Sequence, residues 1–273
     1  MKTGLLAGLI GTLLAATSLL AGSPTLPTST EPALTLLMLG QSNMDGTNSL
    51  PPSPLLLAGA REEHLAWCYY KDRQWGLLQD PYAGGTAYYP KTFNAYAGAS
   101  VAPGIARRLM PTVGNLAFVP AAKGGSTISA WLYRPPGGLS YLDMAVEQAR
   151  ASGHHPNAAC WWQGESDSTP PGTIAIQYKS SLAQIAARLF AEFGCPLLVA
   201  AIQTNNPAQY PNQGVIQQAQ RESWMEVPHV AAGPDLSSLE TLPQDSVHLA
   251  DPAKIDEASA RWAAAIQAEI GGA

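Results

Sequence analysis

The sequence predicts a single α/β domain, doubly wound around a mainly parallel, five-stranded sheet. Three observations carry this. Five short apolar runs, at residues 34–39, 116–120, 158–162, 197–202 and 230–232, are each bounded by turn residues, as strands buried on both faces of a parallel sheet are. Between them lie helical patterns at 101–110, 139–152, 174–193, 214–225 and 251–270, and strands that alternate with helices give a helix-covered sheet. After residue 32 no linker or internal repeat divides the chain, and the 46% hydrophobic content is ample for one core.

The elements follow in order. Residues 1–22 read as a signal peptide: Met1-Lys2-Thr3, an uncharged Leu/Ala-rich run, then small residues at Ala21-Gly22-Ser23. Gly, Thr and Ser scattered through the run make it a poor permanent anchor, and no stop-transfer charges follow. Residues 23–32, rich in Pro, Ser and Thr, form a linker, and 33–273 the domain. A secreted or periplasmic protein is expected, with no stable membrane association after signal cleavage. Residues 43–98 are rich in Pro and Gly, with a hairpin suggested by the 65–70 run and the turn at 71–74. They read as an insertion over the active face. The last helix opens on Asp251-Pro252, an N-cap followed by Pro at the first helical position.

Composition excludes several function classes. Fifteen Lys and Arg stand against 20 Asp and Glu, a net charge of −5 in a chain of 273 residues. With no basic stripe, a nucleic-acid partner is not expected. Charged residues make up only 13%, so the surface must be covered largely by uncharged polar residues, Gly and Pro. The three cysteines, Cys68, Cys160 and Cys195, are an odd number with no CxxC or Cys/His cluster, so neither a metal site nor redox chemistry is indicated. Cys160, inside an apolar run, reads as a buried inert thiol.

Ligands of such a sheet gather at the carboxyl ends of its strands, which sorts the polar residues. His64, His154, His155 and His229 precede strand runs and belong to the opposite edge. His248 follows the last strand, with Asp245 three residues earlier, a spacing at which one loop can set a carboxylate against an imidazole that acts as general base. Ser42 follows the first strand in Gly40-Gln41-Ser42-Asn43-Met44, a place where nucleophilic serines are often presented, although in isolation it reads first as a turn or N-cap residue. The second relevant strand ends in Lys123-Gly124-Gly125-Ser126, where glycines let backbone N–H groups approach a ligand. The third ends in Trp161-Trp162-Gln163-Gly164-Glu165-Ser166-Asp167, which places an amide donor beside a glycine. Nucleophile, N–H donors and base thus converge as a developing oxyanion requires.

These four blocks, Gly-Gln-Ser-Asn-Met, Gly-Gly-Ser-x-Ile-x-x-Trp, Trp-x-Gln-Gly-Glu-x-Asp and a late Asp-x-x-His, resemble the SGNH hydrolase superfamily. Within it they are similar to the sialate O-acetylesterase and acetyl xylan esterase branch, carbohydrate esterase family 6. The resemblance runs from about Leu34 to the last helix. It implies a flavodoxin-like three-layer α/β/α sandwich and a serine esterase that removes O-acetyl groups from carbohydrates without metal or organic cofactor. It further implies Ser42 as nucleophile, His248 as base and Asp245 as the residue orienting it. The oxyanion hole would come from the Ser42 N–H, a Gly124 or Gly125 N–H and the Gln163 side chain. Glu165 is left to substrate binding, loop bracing or support of the histidine. Trp131 and Trp162 are sugar-stacking candidates against a core reading. The competing functions are a lipase or thioesterase of the same superfamily, and a carbohydrate-binding relative without catalysis.

Overall fold

The computed structural model describes residues 31–46, 64–69, 73–80, 98–241, 246–249 and 251–271. The signal peptide, nearly all of the linker and Asp245 lie outside the described residues. Seven strands form one sheet: β1 (Leu34–Gly40), β2 (Ala66–Tyr69), β3 (Trp75–Leu77), β4 (Leu116–Pro120), β5 (Ala158–Trp162), β6 (Leu197–Ala201) and β7 (Val230–Asp235). Their order is β3-β2-β4-β1-β5-β6-β7. Every pairing is parallel except β2 with β3, which is antiparallel.

The expected count of five strands is therefore corrected to seven. The hairpin exists, but β2 also pairs in parallel with β4, so it extends one edge of the sheet. Strands of four and three residues around polar positions carry too little apolar signal to reveal that pairing. The rest of the supposed insertion over the active face, residues 47–63, 70–72 and 81–97, lies outside the described residues.

The helices are α1 (Ser42–Asp45), α2 (Ala102–Val113), α3 (Ile128–Leu132), α4 (Tyr141–Ser152), α5 (Ala175–Phe193), α6 (Gln213–Glu226) and α7 (Pro252–Gly271). Helices α2 and α7 pack together, while α3 and α4 contact α5, which packs on α6. Ser140 caps α4 in a reciprocal box with Asp143, which satisfies two backbone donors that the helix start would leave open. The Asp251 carboxylate accepts the Ala253 N–H at 2.8 Å, as an N-cap should. At α2 the packing on α7 depends on Gly104, where a Cβ would lie 2.4 Å from Ser259 Oγ.

The strands β1, β4, β5 and β6 are buried along their whole lengths, which is why they read as unbroken apolar runs. The chain places β4 on one side of β1 and β5 on the other. At such a reversal the connections leave a crevice beyond the carboxyl ends. Gly40 closes the bottom of it. At φ 131° it lets β1 approach β5 so closely that a Cβ would lie 2.0 Å from the Trp162 carbonyl oxygen. The Gln41 N–H donates to that same oxygen at 2.9 Å.

Candidate active site

Ser42 opens the single turn α1 directly after β1, and Gly46, left-handed at φ 78°, ends the turn by donating its N–H to the Ser42 carbonyl. Gly40 and Gly46 thus confine the serine between two backbone positions that ordinary residues rarely adopt. The Ser42 side chain is largely buried, and its hydroxyl makes no hydrogen bond among the described residues. Catalytic contacts in a ligand-free site are commonly long and tighten in the complex. Its own N–H belongs to the first turn of a helix, where backbone donors lack an internal partner.

Beyond β4, Lys123 donates its N–H to the Gly40 carbonyl at 2.8 Å, which fastens the second block to the first. Gly124 is half-buried, while Gly125 is exposed with φ 69°. Gly124 is therefore the better placed of the two for a donor facing a sheltered crevice. Ser126 is buried; its hydroxyl donates to the Lys123 carbonyl at 2.7 Å and accepts from Trp131 Nε1 at 2.9 Å. Trp131 stands edge-on to Trp161, with ring centroids 5.0 Å apart. Trp162 donates its indole N–H to Gln203 Oε1 at 3.0 Å. Both Trp131 and Trp162 are at most 1% exposed, so the sugar-stacking expectation is corrected for each: they are core residues that orient polar neighbours.

Gln163 is corrected in a similar way. Its Nε2 donates to the Ser126 carbonyl at 2.8 Å and to Asp167 Oδ2 at 2.5 Å, with Gln41 Oε1 a third acceptor at 3.3 Å. The Tyr178 hydroxyl donates its one hydrogen to the Gln163 carbonyl at 2.6 Å and lies 3.1 Å from Oε1. An amide has two hydrogens, and protein acceptors engage both, so the residue ties the third block to the second instead of presenting a donor to substrate. Asp167 completes the tie by accepting the Ile128 N–H at the start of α3. Beneath the loop, Gln220 donates to the Gln163 carbonyl and accepts the Ile202 N–H.

Glu165 is fully buried, which removes it from direct contact with substrate. Its Oε1 accepts from Asn43 Nδ2 at 2.7 Å and from Gln203 Nε2 at 2.9 Å. Burial pushes its carboxyl up from the usual range; these two amides and the charge of His248 oppose the shift. The carboxylate is thus within electrostatic reach of the predicted base. Burial also raises Asp167, against the donations of Thr173, Gln163 and Ile128. Cys160 is buried as expected, its thiol pushed far up by desolvation.

His248 is half-exposed in the short segment 246–249, on the same side of the sheet as Ser42. The two are joined through Asn43, whose Nδ2 donates to the Val247 carbonyl at 3.2 Å and whose Oδ1 accepts the Leu249 N–H at 3.2 Å. Gln203 also reaches the Val247 carbonyl, at 2.9 Å. The other four histidines stay away from this face. His154 is edge-on to Trp75, His155 is edge-on to Phe193, and His229 stacks on Phe190 at 3.8 Å; His64 lies by Gly114. Sequence reasoning missed Gln203, whose only signal is its position one residue beyond the β6 apolar run, and gave Asn43 no task of its own.

A family model described as carbohydrate esterase, sialic acid-specific acetylesterase, matches residues 33–267. The chain belongs to this family. It is accordingly a carboxylic ester hydrolase of the carbohydrate acetylesterase type, as the four sequence blocks implied. Among solved structures it is similar to a protein of Arabidopsis thaliana, at 18% identity and a TM-score of 0.64 over 87% of this chain and 99% of that one. It is also similar to a carbohydrate acetylesterase from Xanthomonas citri, at 18% identity and a TM-score of 0.59, over 88% of this chain and 56% of that one. A variant of an acetyl xylan esterase from Geobacillus stearothermophilus matches at 14% identity and a TM-score of 0.51, over 89% of this chain and 96% of that one. At these identities the likeness is one of fold. A search of curated proteins finds no match.

Proposed function

We propose that the protein is an exported serine esterase that removes O-acetyl groups from a glycan through an acetyl-serine intermediate. The observation that carries this reading is the Asn43 bridge: the residue next to Ser42 bonds both peptide groups that flank His248. The bridge ties the backbone on both sides of the proposed base to the residue that follows the proposed nucleophile. His248 takes the Ser42 proton as Oγ attacks the acetyl carbonyl carbon. The carbonyl oxygen gains charge and is met by the N–H groups of Ser42 and Gly124. The tetrahedral intermediate collapses, the sugar oxygen leaves with the proton that His248 returns, and water repeats the cycle on the acetyl-enzyme to release acetate. Asp245 orients His248 in this scheme, and the buried Glu165, whose charge burial disfavours, gathers the amides of Asn43 and Gln203 beside it.

The test pairs variants with a substrate series. Ser42→Ala and His248→Ala should each cut hydrolysis of 4-nitrophenyl acetate to a small residual rate while the melting temperature holds. His154→Ala and His155→Ala, on the opposite edge, should keep the wild-type rate. The acetylesterase reading predicts cleavage of acetate well ahead of butyrate and octanoate. Comparable octanoate cleavage would favour the lipase alternative, and full activity in folded Ser42→Ala would overturn the nucleophile.

A further inference from the structure

We propose that Gln203, acting with Asn43, is the positioning residue that fixes His248 for proton transfer; this rests on the serine-esterase reading above. The two amides enter from different sides, Asn43 from the turn after β1 and Gln203 from just beyond β6. Both donate to the same two acceptors, Glu165 Oε1 and the Val247 carbonyl. The Val247 carbonyl belongs to the peptide group that enters His248, and the Leu249 N–H, held by Asn43 Oδ1, belongs to the one that leaves it. The base is therefore gripped at its backbone on both sides.

The orientation of each amide is set by chemistry. Trp162 Nε1 can only donate, and it donates to Gln203 Oε1 at 3.0 Å, so the Gln203 NH2 must face Glu165 and Val247. The Leu249 N–H likewise takes Asn43 Oδ1 and turns the Asn43 NH2 to the same two acceptors. Gln203 is fully buried and has no route to substrate, so its influence on the reaction passes through the histidine loop. Among the described residues the loop is also tied where the Asn206 N–H reaches the Ser246 carbonyl at 3.4 Å and the Ser246 hydroxyl reaches Gln209. Without the amide grip the imidazole would drift from Ser42, and misplacement of about 1 Å costs roughly 10²-fold in rate.

The experiment is a double-variant cycle on 4-nitrophenyl acetate, whose activated leaving group keeps residual rates measurable. Gln203→Met keeps the length of the side chain and removes both donations. It should lower kcat about 10²-fold with KM changed less than about threefold. In the His248→Ala background the same substitution should change the residual rate less than about twofold, because the group it positions is gone. A residue that merely holds the fold would lower the rate equally in both backgrounds. Asn43→Ser, which loosens the same grip from the other side, is read in parallel and carries the test if Gln203→Met does not fold. The inference is overturned if folded Gln203→Met keeps kcat within threefold, if its loss persists undiminished without His248, or if neither single variant folds. A wild-type rate in His248→Ala itself would instead bring down the esterase mechanism, and the positioning role with it.

Discussion

Replacing Gln163 by Glu separates a loop tie from an oxyanion donor. The wild-type amide supplies the Ser126 carbonyl and Asp167 Oδ2. A carboxylate supplies neither. Each buried acceptor left without its donor costs about 1–3 kcal/mol, so the loss of both is worth about 2–6 kcal/mol. The new carboxylate would also stand against Asp167, whose own charge burial already disfavours. The variant escapes by keeping its proton, which raises the folded-state pKa of Glu at this position above its value in the unfolded chain. A carboxyl group raised on folding favours the folded state at low pH and penalises it as pH rises through the raised pKa. The deficit of Gln163→Glu should therefore grow between about pH 5 and 8, and more steeply than that of Gln163→Met, which adds no charge and loses only the donations to Ser126 and Asp167. For a domain of this size about 1 kcal/mol corresponds to roughly 2–4 °C in Tm, so the deficit at neutral pH should exceed about 5 °C. Tm and kcat are measured on the same samples across that range. An unchanged Tm, with kcat down about 10²–10³-fold as for a lost oxyanion donor, would refute the tie.

Three further outcomes follow from the geometry. Gly40→Ala should leave little folded protein, because its Cβ would lie 2.0 Å from a backbone oxygen that cannot move; circular dichroism and soluble yield report this. Gly104→Ala should also lower Tm, since its Cβ would lie 2.4 Å from the Ser259 hydroxyl and 2.5 Å from the Ser259 Cβ, so α2 and α7 would have to move apart. At the end of β7, burial opposes the Asp235 charge, but Arg221 and Ser237 outweigh it and hold the carboxyl at about 2. A depressed carboxyl stabilises the fold above its unfolded pKa and loses that contribution as pH falls. The Tm deficit of Asp235→Asn should thus be full at pH 6 and shrink from about pH 4 to 2; because the pair is exposed, it should stay below about 1 kcal/mol.

Much of the fold was legible because burial on both faces leaves an apolar run that reads without a partner. All five such runs are strands, and the helices between them lie where periodicity places them. The short pair β2 and β3 and the turns α1 and α3 escaped, since elements of three to five residues leave no period to read. Block position put Ser42 and His248 on the crevice face. The tasks of the block residues were harder to see. Whether an amide such as Gln163 faces substrate or protein is decided by acceptors on other strands, and Gln203 matters through Val247, 44 positions away. Trp131 and Trp162 look alike in sequence whether they stack on a sugar or on each other's neighbours; only their enclosure decides.

The residues that brace the crevice are mostly carboxamides: Gln41, Asn43, Gln163, Gln203 and Gln220. A carboxamide neither gains nor loses a proton across the range in which proteins stay folded, and mobile ions screen its contacts far less than those between full charges. The framework around Ser42 and His248 should hold its shape through swings of acidity and salinity that would loosen a brace of ion pairs. Tuning by pH is then left to the few ionisable groups it encloses. That division would keep the geometry around Ser42 and His248 constant while acidity and salinity vary.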